Sequence, residues 1–240
     1  NIGAEYIKPV LKNLRGTAGL YCTADAEAFC CSKSIDELEQ LKHTGALEWI
    51  KSFENQNNET GIPLTQSLRR ANMFWYEMKT DNMADFVANV NYDKSLFIAT
   101  FNNRSFIDQR MIGLSLKTEF QTEDRILLLA LLNSILSMFF IESFGFGRGL
   151  GALDLRATKF ERDFKLLNFQ SLSDVQKQAI KNAFLPISQR NRLPLEQEIE
   201  QADRTNFERV LLEIFGIAEH YDAIKASLIH LYKIRFAVKD

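Results

Sequence analysis

Four glycines alternate after an apolar segment, at Gly145, Gly147, Gly149 and Gly151, and they surround one arginine, Arg148. Glycine permits positive φ and lets backbone N–H groups approach a phosphate closely. A dinucleotide fingerprint needs GxGxxG between a strand and a helix, and a P-loop needs Gly-Lys-Ser/Thr; neither order occurs in the chain. The spacing is therefore typical of either a structural turn or a loop that presents Arg148 to a phosphate or a nucleic-acid groove.

The other reactive residue types do not form a recognisable active site. Cys22, Cys30 and Cys31 have no CxxC or HxxxH partner, which argues against zinc and predicts reduced thiols packed near a strand. The three histidines lie in predicted helices without a cysteine or serine in a motif. We therefore expect no catalytic and no metal-binding residue, and a function that rests on recognition.

Composition bounds the class of protein. The chain has 240 residues, of which 46% are hydrophobic, and a net charge of −2. The hydrophobic fraction suits a globular core, and the near-neutral net charge argues against indiscriminate nucleic-acid binding. Residues 126–141 are apolar but fewer than the roughly 20 that a membrane span needs. Because residues 1–20 also lack an apolar leader segment, we expect a cytoplasmic protein without a membrane partner. Asn1 is not a start methionine, so we expect a piece of a longer polypeptide.

The middle of the chain has a β pattern. Residues 74–76, 86–90, 96–101 and 111–116 are rich in aromatic and branched side chains, with asparagine-containing turns between them. The pattern predicts an antiparallel β-meander. It also places Trp75 and Tyr76 on opposite faces of one strand, where one packs in the core and the other is available to stack on a base.

Helical signals flank the meander. Spacing predicts a helix over residues 5–14 and one that runs to residue 144. Ser34 and Glu37 form a capping box, which begins another helix. From residue 170 the chain is helical, with long helices over 195–215 and 219–238. We therefore predict an α+β fold: a domain over residues 1–169, in which helices flank the antiparallel meander, and a helical C-terminal tail over 170–240 that packs on it.

Basic side chains occur in loose clusters with acids among them. The clusters contain Arg69, Arg70, Arg104, Arg110, Lys117, Arg148, Arg156, Lys159, Arg162 and Lys165. Surface charge usually serves solvation alone. These residues form one binding patch only if the sheet and the glycine loop share a face.

One absence bears on DNA methylation. Adenine-N6 methyltransferases use a tetrapeptide with two adjacent prolines, and no two prolines of this chain are adjacent. The chain also lacks a glycine-rich turn from strand to helix of the kind that holds S-adenosylmethionine. A methyltransferase catalytic domain is therefore not expected within it.

The segment Leu131, Leu132, Asn133 and Ser134, followed by an aromatic helix end and the glycine loop, resembles the target-recognition domain of adenine-specific DNA methyltransferases. These include the fused type IIG restriction-modification enzymes. Further segments are similar in the same order along the chain: residues 5–11, 74–76, 94–98, 203–216 and 231–235.

The resemblance implies a division of labour. A parent enzyme would transfer a methyl group from S-adenosylmethionine to adenine N6 in duplex DNA, after the base is flipped out. This chain would read the sequence and supply half of the DNA clamp, and it would be inactive alone. Its partners would be double-stranded DNA and the upstream catalytic domain, which would hold the cofactor. The implied DNA-binding residues are Arg148, Gly147, Gly149, Arg104, Arg110, Lys117, Arg156, Lys159 and Tyr76.

Two alternatives stay open at this point. A type I restriction specificity subunit carries similar domains, usually two of them, whereas this chain has no internal repeat. A protein-interaction module would instead dock a partner through the helical tail over residues 195–238, and the near-neutral charge favours this class.

Overall fold

The computed structural model describes residues 2–117, 124–147 and 151–237. The chain divides into two compact units. The first unit consists of Asn1–Lys12, Ala24–Ala84 and Arg104–Asp108, and the second of Asn13–Thr23, Asp85–Asn103 and Gln109–Asp240. Both units contain helices and strands, which confirms the predicted α+β class. The predicted boundary between residues 169 and 170 falls inside the second unit.

The elements of the described residues are as follows in chain order. The strands are β1 (Ile7–Leu11), β2 (Tyr21–Cys22), β3 (Ala26–Phe29), β4 (Ala84–Asn89), β5 (Asn91–Tyr92), β6 (Ile98–Ile107), β7 (Met111–Leu114), β8 (Phe146–Gly147) and β9 (Leu153–Asp154). The α-helices are α1 (Ile35–Gln40), α2 (Thr44–Glu54), α3 (Leu64–Ser67), α4 (Asp124–Leu132), α5 (Ile135–Phe144), α6 (Ala157–Asp163), α7 (Asp174–Gln189), α8 (Leu195–Glu198), α9 (Ala202–Ile214) and α10 (Tyr221–Ala237). Single turns of 3-10 helix occur at Ala4–Tyr6, Thr80–Asn82, Phe169–Ser171 and Ala218–His220.

In the first unit, β1 pairs antiparallel with β3 and parallel with the end of β6. Helices α1 and α2 pack beside β3 around a core that includes Tyr6, Leu38 and Ile50. Helix α1 begins at the predicted capping box. The Ser34 hydroxyl accepts the Glu37 N–H at 3.1 Å, and the Glu37 carboxylate accepts the Ser34 N–H at 2.7 Å.

Two predicted elements of this unit are wrong. Residues 7–11 form strand β1 rather than a helix, because Pro9 in the middle of the segment has no N–H for an intrahelical hydrogen bond. Residues 74–76 are not a strand. The Arg70 carbonyl accepts the Met73 N–H and the Phe74 carbonyl accepts the Glu77 N–H, and these local bonds close turns where a strand would need a ladder.

In the second unit, β2 pairs parallel with β6, and β4 pairs antiparallel with β7. Strand β4 lies between β6 and β7. The sheet is therefore mixed, and its strand order is not that of a simple meander. Turn residues mark where strands end but do not specify which strands become neighbours. A small antiparallel sheet has the order β5-β9-β8.

The long helix predicted to run to residue 144 ends there but is broken in the middle. Helices α4 and α5 meet at an angle of 53°. Ser134 has an extended backbone (ψ 161°), and its hydroxyl accepts the Ser137 N–H at 3.3 Å, as an N-cap residue does. No single helix of the described residues is long and apolar enough to cross a membrane; only α4 and α5 taken together reach that length and composition.

The helical tail packs within the second unit. Helix α7 contacts α9 and α4, and α10 contacts α5 and α9. The rings of Phe184 and Phe207 meet at a centroid distance of 5.1 Å between α7 and α9. The helix predicted over residues 195–215 is two helices, because Gln201 between α8 and α9 has an extended backbone (ψ 140°).

Candidate nucleic-acid interface

Strand β7 and helix α6 form the walls of an open groove in the second unit. Strand β7 is held by its antiparallel pairing with β4, and α6 begins after Arg156, which has an extended backbone. The groove has a volume of about 510 Å³ and is lined by Ile112, Gly113, Leu114, Ser115, Ala157, Phe160, Glu161 and Phe164. Two segments that are distant in sequence therefore border one concave surface.

The groove walls are apolar and fixed by packing. Ile112 and Phe160 are buried. The rings of Phe160 and Phe164 stack at 4.2 Å with an interplanar angle of 18°, and Phe140 of α5 lies 5.9 Å from Phe164. An aromatic stack of this kind holds the helix in a constant position relative to its neighbours.

Exposed basic residues lie on the two segments that line the groove. Arg110 directly precedes β7, and its carbonyl accepts the Val90 N–H at 3.4 Å. Lys117 follows β7, and Arg156 precedes α6; both are exposed. Residues from two of the predicted basic clusters therefore lie on or next to the two chain segments that line the groove.

Lys159 is only partly exposed. Its ammonium group donates to the Phe144 carbonyl at 3.1 Å and lies 5.5 Å from the centroid of the Phe144 ring. The cation therefore stabilises the C-terminal end of α5, where helix carbonyls lack partners.

Acidic residues reduce the positive charge at one end of the groove. Glu161 is exposed and lines it. Asp163 forms an ion pair with Arg162 at 2.7 Å, and the hydrogen bond from that guanidinium lowers the pKa of Asp163. The charge of Arg162 is thus neutralised by Asp163. Arg162 is also not among the implied DNA-binding residues.

The glycine loop is described in part. Gly147 lies in β8, is exposed and pairs with Leu153 of β9. Gly151 has a φ of +77°, which side-chain-bearing residues rarely adopt, and a Cβ atom there would collide with the Phe236 ring. Arg148 and Gly149 lie outside the described residues.

Arg104 and Tyr76 belong to the first unit. Arg104 is exposed on β6, and its Nε donates to the Met83 carbonyl at 3.1 Å. Tyr76 is only 6% exposed, and its hydroxyl donates to the Lys33 carbonyl at 2.9 Å. Burial raises the pKa of Tyr76 to about 12. Its ring lies in the core in this conformation, and the half-buried Trp75 beside it is the more accessible of the two.

Asn133 has a structural role that its place in a motif did not reveal. Its side-chain amide accepts the Ile98 N–H at 3.0 Å and donates to the Ile98 carbonyl at 2.8 Å. The amide thereby makes to Ile98 of β6 the pair of hydrogen bonds that a neighbouring strand would make. The adjacent Ser134 caps α5.

A buried ionic network also escaped sequence analysis. Arg204 donates to Glu198 at 2.7 Å and to Glu208 at 3.1 Å, and Arg190 bonds both Glu198 and Asp203. Its one sequence signal is the i,i+4 spacing of Arg204 and Glu208. Burial raises the pKa of Glu208 to about 7, although the Arg204 guanidinium opposes the shift.

The reactive residue types outside the groove are the candidate metal ligands and the three cysteines. Among the described residues, no group of three or more His, Cys, Asp or Glu side chains is placed to hold a metal ion. Cys22 lies in β2, and burial raises the pKa of its thiol to about 12, which keeps it protonated at neutral pH. Cys30 and Cys31 follow β3 and are buried free thiols as well.

Comparison with known proteins gives a likeness of fold. The chain matches no protein-family model and no curated protein sequence. Among solved structures, it is similar to the type IIG restriction endonuclease BpuSI, with 11% sequence identity and a TM-score of 0.56. The match covers 99% of this chain and 27% of that enzyme. This chain therefore has a fold also found in part of a type IIG restriction endonuclease, and it spans about a quarter of that protein's length.

Proposed function

We propose that this chain is a DNA-recognition and clamping domain of a restriction-modification enzyme. The observation that carries the proposal is the β7–α6 groove, whose two lining segments are flanked by the exposed residues Arg110, Lys117 and Arg156, with the partly exposed Lys159 on α6 itself. Likeness of fold to part of a type IIG restriction endonuclease, over 99% of this chain, supports it. The ordered motif similarities point to the same class.

The groove suits contact with phosphates. Arginine and lysine side chains are the usual phosphate ligands, and they fix the register of a protein on the duplex. At about 510 Å³ the groove is too small to enclose a duplex, so DNA would lie across its rims. Arg110 and Lys117 would contact one strand, and Arg156 the other. Gly147 and the neighbouring Arg148 would reach toward base edges.

The proposal assigns no methyl transfer to this chain. The parent would be an adenine-N6 methyltransferase, whose catalytic domain lies elsewhere in the polypeptide and holds S-adenosylmethionine there. The groove is lined mostly by apolar residues, and Ser115 and Glu161 are its polar lining residues. Its contribution is binding, orientation and the choice of sequence.

Selection from a randomised duplex pool tests sequence recognition, and paired variants test the site. We expect the chain to enrich a defined sequence. The double variant Lys117→Ala/Arg156→Ala should bind roughly tenfold more weakly, because it loses phosphate contacts. Arg209→Ala/Lys233→Ala removes the same charge from exposed positions on α9 and α10 and should bind as the wild type does. Equal affinity of the two double variants would refute the groove as the interface.

A further inference from the structure

A loop of the first unit combines arginines with exposed apolar side chains. We call residues 68–74 the arginine loop. Leu68 and Phe74 at its ends are 45% and 41% exposed. Arg69 and Arg70 are exposed as well. Single exposed apolar residues are common on protein surfaces, but here two of them flank a pair of cations within seven residues.

The arginine loop has no acidic residue of its own, although the Glu77 carboxylate accepts the Phe74 N–H at its end. No acidic residue occurs in the sequence between Glu59 and Glu77. Neither Arg69 nor Arg70 forms an ion pair with any residue in the part of the chain that the structure describes. A partner that neutralises both guanidinium groups must therefore be an anion from outside the unit.

Phe74 is held firmly although its ring is partly exposed. Its N–H donates to the Glu77 carboxylate at 3.1 Å, and its ring stacks on that of Tyr76 at 5.3 Å with an interplanar angle of 6°. Tyr76 is anchored in turn by its hydrogen bond to the Lys33 carbonyl. The partly exposed Phe74 ring thus packs on the buried Tyr76 ring. Because Phe74 is already held in place, less conformational entropy is lost when it binds a ligand.

The arginines and the ring lie close enough to contact one ligand. A fully extended chain places residues four apart within about 14 Å of each other. The hydrogen bond from the Met73 N–H to the Arg70 carbonyl, at 3.4 Å, closes a turn and shortens that span further. The phosphates of one DNA strand recur about every 3.4 Å along the helix axis, so the two arginines and the ring fall within a few nucleotides.

We infer that the arginine loop is a second DNA-contacting surface, beyond the β7–α6 groove. Arg69 and Arg70 bind phosphates, and Phe74 contacts the bases between them. Proteins that bind DNA grooves combine these two kinds of contact, with cations on the backbone and an apolar side chain against the base steps. A protein partner would need an acidic, apolar surface instead. The arginine-loop variants would then bind duplex DNA as the wild type does. This inference rests on the proposed function.

Intrinsic fluorescence at Trp75 provides a local probe. The chain has two tryptophans. Trp49 stacks on Phe29 at 4.1 Å, where phenylalanine preserves an aromatic ring, so Trp49→Phe leaves Trp75 as the single fluorophore. We expect titration of this variant with a random-sequence duplex at low salt to quench Trp75. Arg69→Ala/Arg70→Ala in the same background should bind roughly tenfold more weakly and reduce the salt slope by about 1.8.

Matched variants distinguish this loop from general charge. Lys12→Ala/Lys51→Ala removes two exposed cations from the same unit and should leave affinity unchanged. Phe74→Ala should weaken binding by about fivefold or more, because an aromatic contact to a base is lost. Leu41→Ala, at another exposed apolar residue of the unit, should not.

The outcomes separate this inference from the proposed function. The wild type can bind duplex DNA while Trp75 of the Trp49→Phe variant does not respond, and while Arg69→Ala/Arg70→Ala and Lys12→Ala/Lys51→Ala bind equally. In that case the arginine loop is not a DNA contact, and the groove proposal stands. If the wild type shows no salt-dependent binding at all, both fall. Circular dichroism of each variant confirms that it is folded.

Discussion

At the scale of the residue, buried polar side chains of the second unit form hydrogen bonds to the backbone of neighbouring elements. Asn133 bonds the backbone of Ile98, and Glu208 accepts the Ile135 N–H at 2.9 Å. A buried polar group without a partner costs free energy, so each of these bonds ties neighbouring elements together. Residues that look like a functional motif thus have a structural purpose.

Asn133→Ala should destabilise the protein. The change leaves the Ile98 N–H and carbonyl without their side-chain partner in a buried place, at a cost of about 2 to 4 kcal/mol. Urea unfolding measures this loss. Asn182→Ala, at an exposed position on α7, is the control and should cost little. A loss below about 1 kcal/mol for Asn133→Ala would contradict the assigned role.

Glu208 should make stability depend on pH. Burial raises its pKa from 4.5 to about 7 in the folded state. Between these values the native state binds more protons than the unfolded chain, so the free energy of unfolding falls as pH rises through this window. Glu208→Gln cannot ionise and should lack that fall, which amounts to as much as about 3 kcal/mol. Urea unfolding from about pH 5 to about pH 8 measures it.

Glu213→Gln provides the matched control, because Glu213 is exposed on the same helix, α9. Its unfolding free energy should follow that of the wild type at every pH. Parallel curves for Glu208→Gln and the wild type would show that Glu208 is ionised throughout the folded state.

At the scale of the element, local signals predicted helix ends well and helix breaks poorly. The capping box at Ser34 begins α1 as expected, because a cap needs only residues within one turn. A second capping box, at Ser173, begins α7. At the bend between α4 and α5, the Ser134 cap is joined by Glu208, which is distant in sequence and accepts the Ile135 N–H. A contact of that kind leaves no periodic trace in the sequence.

The groove was predictable only in its parts. Basic clusters around Arg110 and Arg156 are visible in the sequence, but the groove between the segments next to them depends on the packing of α6 beside β7. Tyr76 was expected to share a strand with Trp75, and its burial follows from tertiary packing against Lys33 and Phe74. Aromatic enrichment alone does not distinguish a strand from an irregular segment of the core.

The docking of α10 on α5 should depend on one buried ion pair. Arg235 donates to Glu142 at 2.7 Å, and both side chains are buried. Arg235→Met leaves the Glu142 charge buried alone, at an expected cost of about 3 to 5 kcal/mol in unfolding free energy. Adding Glu142→Leu should recover much of it. Arg209→Met, at an exposed residue, is the control. A double variant no more stable than the single one would contradict the pairing.

At the scale of the whole molecule, the proposed function of this chain is DNA binding, and methyl transfer would belong to the parent enzyme. The net charge of −2 does not by itself attract the chain to DNA. Affinity must therefore come from local surfaces such as the groove. Each phosphate contact releases condensed counterions, which makes the salt dependence of binding a measure of how many contacts form.

The salt dependence of duplex binding tests the central claim most directly. Fluorescence anisotropy of a labelled random-sequence duplex, titrated with the full chain over a series of salt concentrations, gives the slope of log K against log salt. Phosphate contacts by Arg110, Lys117 and Arg156 at the groove predict a slope of about −2.7, to which the two arginines of the arginine loop would add about −1.8. Arg156→Ala should reduce its magnitude by about 1. A slope indistinguishable from zero, or no binding at low salt, would contradict the assignment of this chain to DNA recognition.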